Sequence, residues 1–147
     1  MKTTKKEYAE MTKQKSPNSN LLKNCVWAFV VGGIICTIGQ GLMNLFLSFG
    51  LDKVGASTSV SITLILTGAL MTGFKIFDNI AKKAGAGTLV PITGFANSIV
   101  SPALEFKSEG FILGVGAKMF TIAGPVLVFG ISASVLYGLI LWLFRLF

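Results

Sequence analysis

The chain has 147 residues, of which 52% are hydrophobic and 13% charged, with a formal net charge of +7. That length suits one domain. The composition and the segregation of charge, with six of the 13 basic residues before position 24, exclude an ordinary soluble globular protein and indicate an integral membrane protein. The positive charge does not indicate nucleic-acid binding. The lysines sit at the ends of apolar runs, where orientation signals belong, and no basic-aromatic interleaving accompanies them.

Residues 1–23 form a basic tail, with Lys2, Lys5, Lys6, Lys13, Lys15 and Lys23 against Glu7 and Glu10 and a break at Ser16-Pro17-Asn18. Two readings suit it: a solvated positive-inside tail, or a short interfacial helix over Thr4–Lys15 with a thin apolar face. The tail is long and polar and the next apolar run exceeds a signal-peptide core, so no cleavable leader is expected. Residues 24–147 make up the membrane domain.

The first span covers about residues 25–50 and is long enough to cross with tilt. Gly32, Cys36, Gln40, Asn44 and Ser48 recur every fourth residue, beside a second series of Gly33, Thr37 and Gly41. One face is therefore small and polar. Small faces let membrane helices approach closely; Gln40 and Asn44 suit either interhelical hydrogen bonds or a pore lining. Cys25 and Cys36 lie roughly 16 Å apart along one helix, beyond disulfide reach. The second span covers about residues 57–77. Its hydroxyls can satisfy themselves on the preceding turn, and Lys75, Asp78, Lys82 and Lys83 mark a basic exit.

Residues 84–104 carry no charge, yet two prolines, several glycines and a polar series interrupt them. Thr93, Asn97, Ser101 and Glu105 share one helical face. Broken, polar backbone at membrane depth is tolerated only inside protein or along a wet cavity. Thr93, Asn97 and Ser101, with Gln40 and Asn44, are accordingly the candidate pore lining. Gly85-Ala86-Gly87 lacks the lysine and spacing of a phosphate loop. Ser101-Pro102 reads as a helix break with Ser101 as N-cap, followed by a short helix presenting Glu105 and Glu109 one turn apart.

The last span covers about residues 119–144, with Gly124-Pro125 expected to kink or divide it. Lys118 lies either near an interface or in a wet lumen, because a lysine at the bilayer centre costs about 3 kcal/mol. With the N-terminus on the cytoplasmic side, four crossings place nearly all basic residues on one side. If residues 84–104 re-enter instead, there are three crossings and Arg145 lies outside. The fold class expected is an all-α integral membrane protein of about four transmembrane helices, the third segment broken or re-entrant.

Gly85–Phe120, GAGTLVPITGFANSIVSPALEFKSEGFILGVGAKMF, together with CTIGQGL at Cys36–Leu42 and the Gly124-Pro125 step, resembles the stage V sporulation membrane protein family that groups the AC and AEb members. The resemblance runs from about Asn24 to the end. It implies a protein of the forespore and spore inner membrane that helps move dipicolinic acid, with calcium, in sporulation and germination. It also implies sister subunits as partners, AEb in the membrane and the soluble thiolase-like AD, in a homo- or hetero-oligomer, and a tension-gated channel role. The motif residues it carries over are Gly85, Gly87, Pro91, Gly94, Asn97, Glu105 and Gly110.

Three function classes follow. A channel subunit would use the five polar residues as lining, Lys75, Lys82, Lys83 and Lys118 to gather anions, and Glu105, Lys107 and Glu109 as a docking or gating loop. A non-conducting assembly subunit would use the small faces for packing only. A membrane-embedded enzyme is not expected. The chain has no histidine, its one close acidic pair has no second pair to complete a metal site, its serines lack a base, and no cofactor is implied.

Overall fold

A computed structural model describes residues 4–15 and 19–145. The expected break at Ser16-Pro17-Asn18 lies outside the described residues. Within the tail, Lys5–Lys15 is helical (α1). Its first turn is held by the Glu7 carboxylate, which accepts from the Thr4 backbone N–H and hydroxyl, each at 2.9 Å.

The first span, α2, is Leu21–Ser48, 28 residues long. It begins four residues before the expected start because Asn20 caps it, its side chain accepting from the Lys23 N–H at 3.4 Å. A turn through Gly50 at φ 87° ends the helix. The 21-residue α3, Lys53–Gly73, starts at Asp52, whose carboxylate accepts from the Gly55 N–H at 3.1 Å. A Cβ on Gly55 would sit 2.8 Å from that carboxylate oxygen, so the cap selects glycine there. The second span thus starts before, and stops before, the expected bounds. It ends where Lys75 takes a left-handed conformation, φ 59°, reversing the chain at a cost of about 1 kcal/mol for a residue with a Cβ.

The nine residues of α4, Ile76–Ala84, are amphipathic, with Phe77 and Ala84 buried and Lys82 and Lys83 exposed in the last turn. The next stretch is broken, as its prolines and glycines predict. It comprises the four-residue α5, Ala86–Leu89, a turn at Val90-Pro91, and the 14-residue α6, Ile92–Glu105. At 1.5 Å per residue α6 spans about 21 Å, short of a hydrocarbon core of about 30 Å. Pro102 does not start a separate helix as expected. It sits inside α6, where its missing N–H removes a single backbone bond and the packed neighbours hold the rest. A 3₁₀ turn, Lys107–Glu109, and a π-helical turn, Phe111–Gly116, lead into α7, Ala117–Arg145. Pro125 likewise lies within α7 and does not divide it.

Close contacts fix the direction of the broken stretch. At its start Ala84 and Gly85 stand beside Asn24 and Cys25 of α2, and further on a Cβ at Gly87 would collide with the Ala28 carbonyl. Chain entry therefore runs parallel to α2. On the way back Thr93 lies against Gly68 and Asn97 against Thr72, four residues on in both helices, so α6 runs parallel to α3. Because α2 and α3 form an antiparallel pair, α5 and α6 form a hairpin whose two ends lie at one end of the bundle. At its bend a Cβ on Gly94 would collide with the Thr88 carbonyl, which is why a glycine stands there. Gly39 faces Leu64; counting from that pair puts Gly68 and Thr93 level with Ile35, the middle of the 28-residue α2. The hairpin tip therefore reaches half the depth of the bundle.

The described residues contain three helices long and apolar enough to cross a membrane: Leu21–Ser48, Lys53–Gly73 and Phe111–Arg145. The fourth expected crossing, residues 84–104, is the hairpin. The last span begins at Phe111 rather than 119, since Gly114 packs the π-helical turn directly on the Phe106 carbonyl and Glu109.

Candidate functional site

The hairpin is seated by backbone contact and few side-chain bonds. Thr72, buried at the end of α3, has its hydroxyl 2.7 Å from the Gly68 carbonyl and 2.9 Å from the Asn97 side-chain oxygen. One hydroxyl proton serves only one acceptor. With that proton on Gly68, turning the Asn97 amide over lets its N–H donate to the Thr72 oxygen, and both groups are satisfied. Asn97 thus ties α6 to α3. One turn earlier, Thr93 is buried with its hydroxyl sealed from solvent and without a hydrogen-bond partner among the described residues. Its backbone and Cβ carry the contact with Gly68. Ser101 is half-buried further down the same helix.

Gln40 and Asn44 stand elsewhere. Both are exposed, and the Gln40 amide donates to the Asn44 side-chain oxygen at 3.0 Å. On α2 they occupy the side opposite Ile35, Gly39 and Leu42, which face the bundle. Gly33 and Gly41, on that same outer side, have nothing within 4 Å of a built Cβ, and Thr37 returns its hydroxyl to the Gly33 carbonyl at 2.8 Å. The five candidate lining residues therefore divide into two groups: Thr93, Asn97 and Ser101 in the hairpin, and Gln40 with Asn44 on the outer face of α2. Of the first-span series, Gly32 alone turns inward, against Gly87.

The charged candidates gather at the hairpin's open end. Lys75, Lys82 and Lys83 are exposed around α4, and Glu105, Lys107 and Glu109 are exposed where α6 ends. Glu105 and Glu109 are not on one helix: α6 stops at Glu105 and Glu109 closes the 3₁₀ turn. Gly110, at φ 98°, starts the return into α7. Lys118 is half-buried, its ammonium 4.2 Å from the centroid of the Phe106 ring. That cation–π contact ties the start of α7 to the end of α6. The motif residues of the hairpin have structural duties: Gly85 takes φ 50°, Gly87 meets Ala28, Pro91 precedes α6 and Gly94 closes the bend.

Two features are not legible in the residue order. One is the Thr72–Asn97 tie, whose partners are 25 residues apart. The other is an aliphatic cavity of about 330 Å³ between α2, α3 and α4, lined among others by Ile34, Ile38, Leu64, Phe77 and Ile80. No periodicity marks a hollow formed where three helices diverge.

A helical membrane protein whose broken third segment turns back halfway through the bundle is the class these observations define. The comparisons give the family. A family model for the SpoVAC/SpoVAEB sporulation membrane proteins matches residues 24–140. The chain is 48% identical over 146 residues to the stage V sporulation protein AC of Bacillus subtilis (strain 168), covering 99% of this chain and 97% of that one. No solved structure matches. The chain belongs to the SpoVAC/SpoVAEB sporulation membrane protein family.

Proposed function

We propose that the chain is a non-enzymatic subunit of a channel in the inner membrane of the forespore and spore, moving dipicolinic acid with calcium in sporulation and germination. The exposed Gln40–Asn44 pair carries this reading. An amide pair facing lipid hydrocarbon keeps unsatisfied donors and acceptors there. On the outer face of a spanning helix it calls for water or another polypeptide beside it. One chain with three spans does not enclose a lumen, so several copies or sister subunits, AEb in the membrane and AD from solution, complete the path with α2 polar faces turned inward. Opening under membrane tension fits a hairpin that is wedged between spans without crossing itself.

The orientation proposed is three crossings with the N-terminus on the cytoplasmic side. Re-entry places the basic tail, Lys75, Lys82, Lys83, Lys107 and Lys118 on that side, and leaves only Lys53 and Arg145 opposite. Glu105 and Glu109 then also face the cytoplasmic side, available to AD or to calcium.

A second reading, a non-conducting assembly subunit, is supported by the use of Thr93 and Asn97 in packing rather than lining. Vesicles loaded with dipicolinate and carrying the chain with its sister subunits distinguish the two. The channel reading expects release above protein-free vesicles, reduced in Gln40→Leu/Asn44→Leu with assembly retained. Release at background, with and without osmotic stress, supports the assembly role instead.

A further inference from the structure

We infer that the cavity between α2, α3 and α4 holds one acyl chain of an anionic phospholipid, with its headgroup phosphate at Lys82 and Lys83. The walls fit hydrocarbon. Ile34, Ile38, Leu64 and Ile80 line the cavity, and the hydroxyls of its threonines are spent on backbone carbonyls or, at Thr93, sealed. A volume of about 330 Å³ falls within the range of small-molecule sites, roughly 300–1,000 Å³. Ile34 and Ile38 are 54% and 52% exposed, so the hollow opens on the outer surface of the bundle.

Its position suits a lipid. Leu42 at one end lies past the middle of α2, and Phe77 and Ile80 of α4 form the other end. Along α4, one turn beyond Ile80, stands Lys83; along α2, one turn below Val31, stands Ala28. Lys82, Lys83, Asn24 and Ala28 line a second hollow of about 250 Å³. The apolar and the basic hollow thus follow one another along α2 and α4, with the basic one at the end where α2 begins. Lys23 and Lys75, both exposed, add positive charge at that end. An aliphatic slot adjoining a lysine-lined one complements an acyl chain joined to a phosphate, and basic residues at this depth attract anionic headgroups. The inference concerns binding and does not depend on conduction.

The test is photocrosslinking in vesicles with the full-length chain. Phosphatidylglycerol or phosphatidylcholine carrying a diazirine near the acyl terminus is added at equal mole fraction, and adducts are mapped by mass spectrometry. Adducts at Ile34, Ile38 and Leu64 should favour phosphatidylglycerol by about fivefold per lysine engaged. Adducts at Val128 and Phe129 of α7 should show no preference. Lys82→Gln/Lys83→Gln should bring the cavity ratio to that of α7, and Thr67→Phe should reduce cavity adducts of both lipids while leaving α7 unchanged. Equal labelling of the cavity by the two lipids overturns the proposal. So does labelling of α7 with none in the cavity, which would mean that another polypeptide covers it.

Discussion

The hairpin bundle and α7 solve the membrane problem in opposite ways. From α2 to α6 the chain packs on itself through small residues. Gly32 meets Gly87, Gly68 meets Thr93 and Gly87 meets Ala28, close enough that backbones touch. After Pro125, α7 presents Val128, Phe129, Ile131, Leu136 and Trp142 outward, and built Cβ atoms at Gly130 and Gly138 meet nothing within 4 Å. The reason is backbone hydrogen bonding. A continuous helix satisfies its own peptide groups and can stand in lipid alone, whereas a chain that stops and turns at mid-depth must be enclosed by protein. Close packing in this molecule therefore follows the irregular backbone.

Glycine substitutions should separate the two regions most sharply. Gly87→Val places a branched side chain against the Ala28 backbone, and the loss should exceed the usual overpacking cost of about 1–3 kcal/mol because neither backbone can yield. Little monodisperse protein is expected after detergent extraction. Gly138→Val on α7 has open space and should leave unfolding in mixed micelles within about 0.5 kcal/mol of the parent. Equal losses in both would remove the distinction.

Lys75→Gly sharpens the boundary between α3 and α4, the approach to the hairpin. The left-handed φ of 59° disfavours a residue with a Cβ, so glycine should raise stability by about 1 kcal/mol. If Lys75 also gathers anions, solute release should fall while stability rises. Next in size is the α3–α6 tie. A double-mutant cycle on Thr72→Val and Asn97→Leu should give a coupling of about 0.6 kcal/mol, with about 1.7 as an upper bound. No coupling would mean that backbone contact alone seats the hairpin.

The smallest effect lies outside both regions. Hydrogen bonds from the Thr4 backbone N–H and hydroxyl hold the Glu7 carboxyl below its ordinary pKa. A lowered folded-state pKa stabilises α1 above the ordinary carboxylate range and is lost as pH falls through the depressed value. The Thr4 amide proton should shift in an NMR titration at a pH below that of a free glutamate, and the displacement should shrink in Thr4→Ala, which removes the hydroxyl bond and keeps the larger backbone one.

Much of this contrast can be read from residue order. The three long spans follow from uncharged length, and the broken stretch from Pro91 and its glycines. Of Gly110 and Gly114, spaced for close packing, only Gly114 packs closely; Gly110 meets nothing within 4 Å and serves the turn at φ 98°. Direction is different. Whether residues 84–104 cross or turn back depends on which helices Gly87 and Thr93 meet, and those contacts join residues far apart in the chain. Charge counting favours four crossings by Arg145 alone, which three crossings leave opposite the other basic residues; a margin of one arginine does not outweigh the packing contacts. Ser101-Pro102 misled for a related reason. A proline inside a short, well-packed helix costs one bond, and the neighbours hold the helix through it. The polar series was legible as a stripe, but a stripe does not tell packing from lining: Asn97 turned inward onto Thr72, while Gln40 and Asn44 turned outward.

The hairpin itself is tested most directly by sidedness. In a background with Cys25→Ser and Cys36→Ser, single substitutions Asn79→Cys, Ser108→Cys and Lys53→Cys are labelled with an impermeant maleimide in oriented vesicles. Re-entry predicts that Ser108→Cys labels with Asn79→Cys from one face and Lys53→Cys from the other. Labelling of Ser108→Cys together with Lys53→Cys would mean that residues 84–104 cross, and would contradict the account.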